Sequence, residues 1–169
     1  MRDDYHYCPR CGGKLSVRVL DHRQRQICDE CDFVFYQNPA PAVGVIVIED
    51  NSVLLVKRKF EPRKGGWTLP AGFVEYDEGV EECAVREMKE ETNLDVELTG
   101  VFNAYTAMDD PRVRVVLLLY TGKRIGGDLK AGDDASDARF FPIDDLPEPI
   151  AFKAHVLALT DIKSYLLND

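Results

Sequence analysis

The sequence predicts an α/β protein in which a mixed sheet is covered by helices, preceded by a small N-terminal zinc ribbon. Three observations carry this. Two Cys-x-x-Cys pairs, Cys8/Cys11 and Cys28/Cys31, stand sixteen residues apart near the start of the chain. Beyond them, apolar runs of strand length are scattered between two segments of helical periodicity, with no regular alternation of strand and helix. The chain has 169 residues, enough for one domain with a real core plus a small stapled module.

The cysteine spacing fits a zinc pattern in which the two pairs are separated by about 15 to 20 residues. Each Cys-x-x-Cys turn lets two sulfurs reach one ion, and Gly12 and Gly13 supply permissive backbone just after the first pair. The competing readings are a disulfide framework, disfavoured without a secretory signal in "MRDDYHYCPR", and a redox pair, which needs no duplication. Four thiolates close a tetrahedral site, so the expected zinc is structural. Residues 1–36 hold six basic and six acidic side chains, so the ribbon has no net basic footprint for nucleic acid.

Next, "FYQNPAPA" has an Asn-Pro step and a further proline, which marks a linker near residues 37–42 and a division into a ribbon over 1–38 and a second domain over 39–169. "VGVIVI", the turn "EDNS" and "VLLVKR" read as a hairpin over 43–58, and "WTLP" as a short strand. Residues 79–92 are rich in helix formers, with Asn93 able to take a left-handed cap. "VELTGVFNAYT", "RVRVVLLLYTGK" and "ARFFPI" read as strands, and "AFKAHVLALTDIKSYLL" as a C-terminal helix.

Composition bounds the function. The chain is 45% hydrophobic and 30% charged, ordinary for a soluble globular protein, and its formal net charge of -9 opposes attraction to nucleic acid or an anionic membrane. Its longest apolar runs, "VGVIVI" and "VVLLLY", fall far short of the roughly 18 residues of a membrane span. A cytoplasmic protein without nucleic-acid or membrane partners is expected.

The helix over 79–92 carries the chemistry. Val80, Ala84, Glu87 and Glu91 are spaced four, three and four apart and share one stripe, which begins apolar and ends in two carboxylates. Glu90 flanks the same face, and Arg86 is four residues before it. Carboxylates crowded in this way repel one another unless a cation compensates, and magnesium suits two or three such oxygens while it also binds phosphate. The other reading is a solvated helix laced with salt bridges. Ahead of the helix, Gly72 permits a close backbone approach and Glu78 can reach back over the first turn.

The constellation is Gly72, five residues, Glu78, seven residues, then "REMKEETNL" from Arg86 to Leu94. It resembles the box of the Nudix hydrolase family, Gly-x5-Glu-x7-Arg-Glu-U-x-Glu-Glu-x-Gly-U with U aliphatic, and departs from it only at Asn93. Asn tolerates the left-handed conformation next best after Gly. "YCPRCGG", "CDECDFVFYQNP", "LLVKR" and "GGWTLPAGFVE" are similar to the zinc-ribbon subgroup, so the resemblance covers nearly the whole chain. It implies an α/β/α sandwich and Mg2+- or Mn2+-dependent hydrolysis of a nucleoside diphosphate linked to another moiety, releasing a nucleoside monophosphate. Glu87 and Glu91 would be metal ligands, Glu90 a further ligand or the base, and Arg86 would orient a box glutamate. Glu78 would support the loop and the metal site, and Gly72 would offer its carbonyl oxygen. A loop acid, Asp134 or Asp137, could instead be the base. Family members are often homodimers.

Phosphate also needs cations, for which Arg58, Arg63 and Lys64 are candidates against a plain surface role. Tyr36 and Trp67 lead the candidates for stacking on a base, with Phe35, Phe60 and Tyr105 behind them, although strand aromatics are more often core. Cys83 and His155 read as structural. The signature Ser-Gln-Pro-Trp-Pro-Phe-Pro of NADH-preferring members has no counterpart in "VFNAYTAMDDPRVRVV", which favours ADP-ribose or an FAD-like substrate. The alternative class is a non-catalytic ADP-ribose sensor on the same fold, which would tend to lose box glutamates.

Overall fold

The computed structural model describes residues 5–110 and 112–167. The chain divides into two compact units, Met1–Pro39 and Ala40–Asp169.

The first unit is a three-stranded antiparallel sheet of β1 (Leu15–Leu20), β2 (Arg23–Cys28) and β3 (Val34–Phe35). Asp21 and His22 both have positive φ, the conformation a two-residue hairpin needs to match strand twist. Its buried cluster is small: Cys8, Leu15 and Cys28, with Cys31 and Phe33 packed against them. A core of that size cannot offset the entropy of ordering the segment, so the unit depends on its cysteines.

In the second unit, β4 (Ala40–Glu49) is central. It pairs parallel with β9 (Val115–Gly126), from Ala40↔Val115 to Val47↔Gly122. The expected linker is therefore shorter than 37–42, because Ala40, Pro41 and Ala42 already belong to the ladder. β5 (Ser52–Arg58) follows a turn in which Asp50 and Asn51 both have positive φ, as anticipated for "EDNS". The hairpin itself differs from expectation. β4 and β5 pair only at Ile48↔Val53 and Glu49↔Ser52, and then part. Into the gap come β6 (Trp67–Thr68), which pairs with β5, and β7 (Ala71–Phe73), which pairs with β4. Gly44 permits this: a Cβ there would lie 2.6 Å from the Pro70 carbonyl oxygen. β8 (Asp95–Ala107) and β10 (Ala135–Pro142) complete the sheet, in the order β10-β5-β4-β9-β8.

Strand alternation sends side chains to two cores. Val43, Val45, Val47 and Leu54 meet Cys83, Ala84 and Met88 of α1 (Val80–Thr92). Ile46, Leu55, Leu117 and Leu119 meet Ala158, Leu159 and Ile162 of α2 (Lys153–Leu166). A mixed sheet between two helices is the expected α/β/α sandwich. No helix among the described residues is long and apolar enough to cross a membrane.

The start of α1 corrects the expected stripe. Val80 is 37% exposed, and the buried face is Cys83, Ala84, Met88, Glu91 and Thr92. Met88, one position beyond Glu87, takes the core contact, which turns Glu87 to the edge of the buried face. Glu82, rather than Glu78, serves the first turn, accepting the Gly79 N–H at 2.8 Å. Asn93 adopts the anticipated left-handed cap, φ 59° and ψ 11°, and its N–H donates to Lys89 O.

Candidate active site and metal centre

In the ribbon, the four cysteine sulfurs lie within 4.8 Å of one another. Cys8–Cys31 is 3.7 Å and both Cys11–Cys28 and Cys11–Cys31 are 3.5 Å. A zinc tetrahedron with Zn–S bonds near 2.3 Å has edges of about 3.8 Å, so the sulfurs already outline it. Backbone N–H groups of Arg10, Gly13 and Glu30 each donate at 3.4 Å to Cys8, Cys11 and Cys28, which offsets thiolate charge. Number, geometry and donor set fit a structural zinc.

The second site forms where β7 meets α1. Gly72 faces Glu87 so closely that a Cβ would sit 2.0 Å from the Glu87 carboxylate. Glu91 is 5% exposed and its Oε2 accepts the Ala71 N–H at 3.0 Å. Burial first, and then the charge of neighbouring Asp134, push its pKa up to about 9. Burial also raises Glu87, against the pull of Arg86.

Arg86 is the hub. Its Nε and Nη2 make a bidentate pair with Glu78 at 2.9 and 2.7 Å. Its Nη1 reaches Glu87 at 2.7 Å and Glu90 at 2.8 Å, the latter being the anticipated i,i+4 pair. Glu78 also accepts the Glu75 N–H, and the guanidinium beside it holds its pKa down to about 2. The box glutamates and the Gly72 backbone offer hard oxygen donors of the type magnesium takes. Unlike the cysteines they are not gathered for an ion: among the described residues, the cysteine quartet alone brings three or more ligand side chains together for one.

Asp134 and Asp137 separate. Asp134 stands beside Glu91, whereas Asp137 pairs with Arg139 at 2.7 Å.

Bordering Gly72 is a cavity of about 460 Å³ with apolar walls that include Ala42, Val113, Val115, Leu117 and Phe152. Arg58 lines it, with Nε on Pro62 O at 2.8 Å and its guanidinium 5.2 Å from the Phe152 ring centroid. Arg63 does not; it is exposed in the loop with positive φ. Trp67 is a correction. It is 7% exposed and packs edge-on against Phe141 in the core, so it offers no stacking face. Tyr36 belongs to the ribbon unit, where the Arg25 guanidinium lies 4.6 Å from its ring centroid.

Asp109 and Phe152, which no sequence motif singles out, are cavity walls, and His155, expected to be structural, has a second place there. His155 does hold the fold, since its Nδ1 accepts the Leu69 N–H at 3.2 Å, but it also lines the cavity. Burial lowers its pKa to about 4, which keeps the ring neutral. The one signal for Asp109 was its place in "MDDPR", a turn between two long strands.

The family model described as NUDIX domain matches residues 38–160, and that described as Nudix N-terminal matches residues 6–37. An ADP-ribose pyrophosphatase from Methanocaldococcus jannaschii is 48% identical over 138 residues, covering 81% of this chain and 79% of its own. A protein named NAD-capped RNA hydrolase NudC from Vibrio atlanticus is 32% identical over 88% of this chain, which spans about half of that relative, 53%. A NUDIX hydrolase structure from Nitrosomonas europaea superimposes with a TM-score of 0.80 at 34% identity, covering 92% of this chain and 89% of that one.

Proposed function

The chain belongs to the Nudix family, and from that premise we propose that it is a Mg2+- or Mn2+-dependent hydrolase of nucleoside diphosphate conjugates, with ADP-ribose or an FAD-like molecule as substrate. The observation that carries this reading is the carboxylate set on the last turns of α1, Glu87, Glu90 and Glu91, with Glu87 packed against a glycine that leaves no room for a side chain. The 48% identity to an ADP-ribose pyrophosphatase supports the substrate class.

In this reading Glu87, Glu90 and Glu91, with the Gly72 carbonyl oxygen, hold the cation. When bound, the cation neutralises phosphate oxygens and makes a water more nucleophilic. Arg86 keeps the glutamates in register, and Glu78 fixes Arg86. Asp134 accepts the proton of the attacking water, because Glu90 shares Arg86 whereas Asp134 comes from a separate loop beside Glu91. Water attacks one phosphorus in line and adds its oxygen there, the anhydride P–O bond breaks with the bridging oxygen kept by the other phosphate, and two monophosphates separate, AMP and ribose 5-phosphate in the case of ADP-ribose. The cavity beside Gly72 receives the nucleoside, with Phe152 for stacking and Arg58, Asp109 and His155 as its polar wall.

The reading includes a ribbon over 1–38, a hydrolase domain over 39–169, a homodimer as the family resemblance implies, and a cytoplasmic setting, which zinc thiolates favour because they need reducing conditions. The test is a panel of ADP-ribose, FAD, NADH, NAD-capped RNA and diadenosine polyphosphates, with and without Mg2+, with products separated by chromatography. The expected result is Mg2+-dependent AMP release, fastest from ADP-ribose or FAD. Tight ADP-ribose binding with no AMP would instead make the protein a sensor.

A further inference from the structure

Residues 127–134 join β9 to β10 and fold back over the last turn of α1. A helix C-terminus leaves its final carbonyls without intrahelical donors. Here the loop supplies two: Lys130 N–H donates to Thr92 O at 3.0 Å and Gly132 N–H to Glu91 O at 3.1 Å. The approach is close enough to require glycine, since a Cβ on Gly127 would lie 2.3 Å from Asn93 O and one on Gly132 2.5 Å from Glu90 O. A third link is a side chain, Asn93 Nδ2–H to Asp128 O at 2.9 Å. The loop ends at Asp134, whose carbonyl accepts the Lys59 N–H at 2.8 Å and whose carboxylate stands beside Glu91.

We propose that Asn93 is a positioning residue for Asp134: its backbone caps the helix, and its side chain ties down the loop that brings the proton acceptor to the box. Glycine at this place, as in the related box, would keep the cap and lose the tie. The single departure from the box is then an added function. The inference rests on Asp134 as the proton acceptor.

The test uses the full zinc-loaded chain with ADP-ribose and Mg2+, in a cycle of wild type, Asn93→Gly, Asp134→Ala and the double variant. Asn93→Gly should keep the melting temperature within a few degrees, lower kcat about fivefold to tenfold as misplacement of a reacting group does, and leave KM within about twofold. In the Asp134→Ala background it should cost nothing further. Amide exchange at residues 128–134 should quicken about fivefold, a readout independent of turnover. Wild-type kcat in Asn93→Gly, or an equal loss in both backgrounds, overturns the proposal. Wild-type kcat in Asp134→Ala removes Asp134 from the mechanism and this role of Asn93 with it, while absence of AMP from the wild type refutes the hydrolase reading itself.

Discussion

Two sets of ligand-type side chains are arranged in opposite ways in this molecule. In the ribbon, four sulfurs already outline a tetrahedron and three backbone N–H groups face them. In the box, three glutamates are held by the chain's own cation, Arg86, and one carboxylate is buried with a strongly raised pKa. The first arrangement is closed and fits a structural zinc. The second lies against Gly72, which also lines a cavity, and in the proposed reading its carboxylate oxygens would share a cation with substrate phosphate. The two sets are told apart by what neutralises them: backbone N–H groups beside the sulfurs, and the Arg86 guanidinium beside the glutamates.

The largest expected effect breaks the first half of that contrast. Cys28→Ser should abolish zinc, read as metal per chain by mass spectrometry, and unfold the ribbon, read by proteolysis within residues 5–39. Structural zinc is worth roughly 10–16 kcal/mol in small fingers, far more than a core of three buried residues can replace. Next, Gly72→Ala presses on the Glu87 carboxylate, which should lower kcat about a hundredfold and shift the melting temperature of the second unit downward.

A smaller effect separates the carboxylates by pH. Glu91, raised from 4.5 to about 9, binds its proton more tightly folded than unfolded, so its contribution is complete below pH 4.5 and is lost as pH rises through 9. Glu78, lowered to about 2, works the other way: its contribution is present above 4.5 and is lost as pH falls through 2. Without added divalent cation, melting temperatures from pH 5 to 9 should therefore fall more steeply for the wild type than for Glu91→Gln, which retains an acceptor for Ala71 but does not titrate. An equal slope would contradict the burial of that charge. The smallest effect lies at the exposed start of α1, where Val80→Thr should change stability by no more than about 0.5 kcal/mol by denaturant titration.

Local rules made much of this legible. Spacing alone pairs the cysteines, the "EDNS" turn and the Asn93 cap depend on a few adjacent residues, and Arg86–Glu90 follows from helix geometry. What escaped depends on distant chain. The parting of β4 and β5 is set by Gly44 meeting Pro70, and no period in either strand encodes it. Trp67 has the composition of a stacking residue and the location of a core residue. Asp134 and Asp137 look equivalent three residues apart, and only the docking of residues 127–134 on α1 brings the first to Glu91 and leaves the second to Arg139. The cavity wall combines β4, β7, β9 and the start of α2, which are remote in sequence.

The central claim is that the carboxylates on α1 hydrolyse a phosphoanhydride, and Glu91→Gln tests it most directly. With ADP-ribose and Mg2+, the wild type should release AMP and the variant should lose about a thousandfold or more of that rate, while calorimetry without divalent cation finds ADP-ribose bound by both and circular dichroism finds both folded. AMP release by the variant at the wild-type rate would contradict the account.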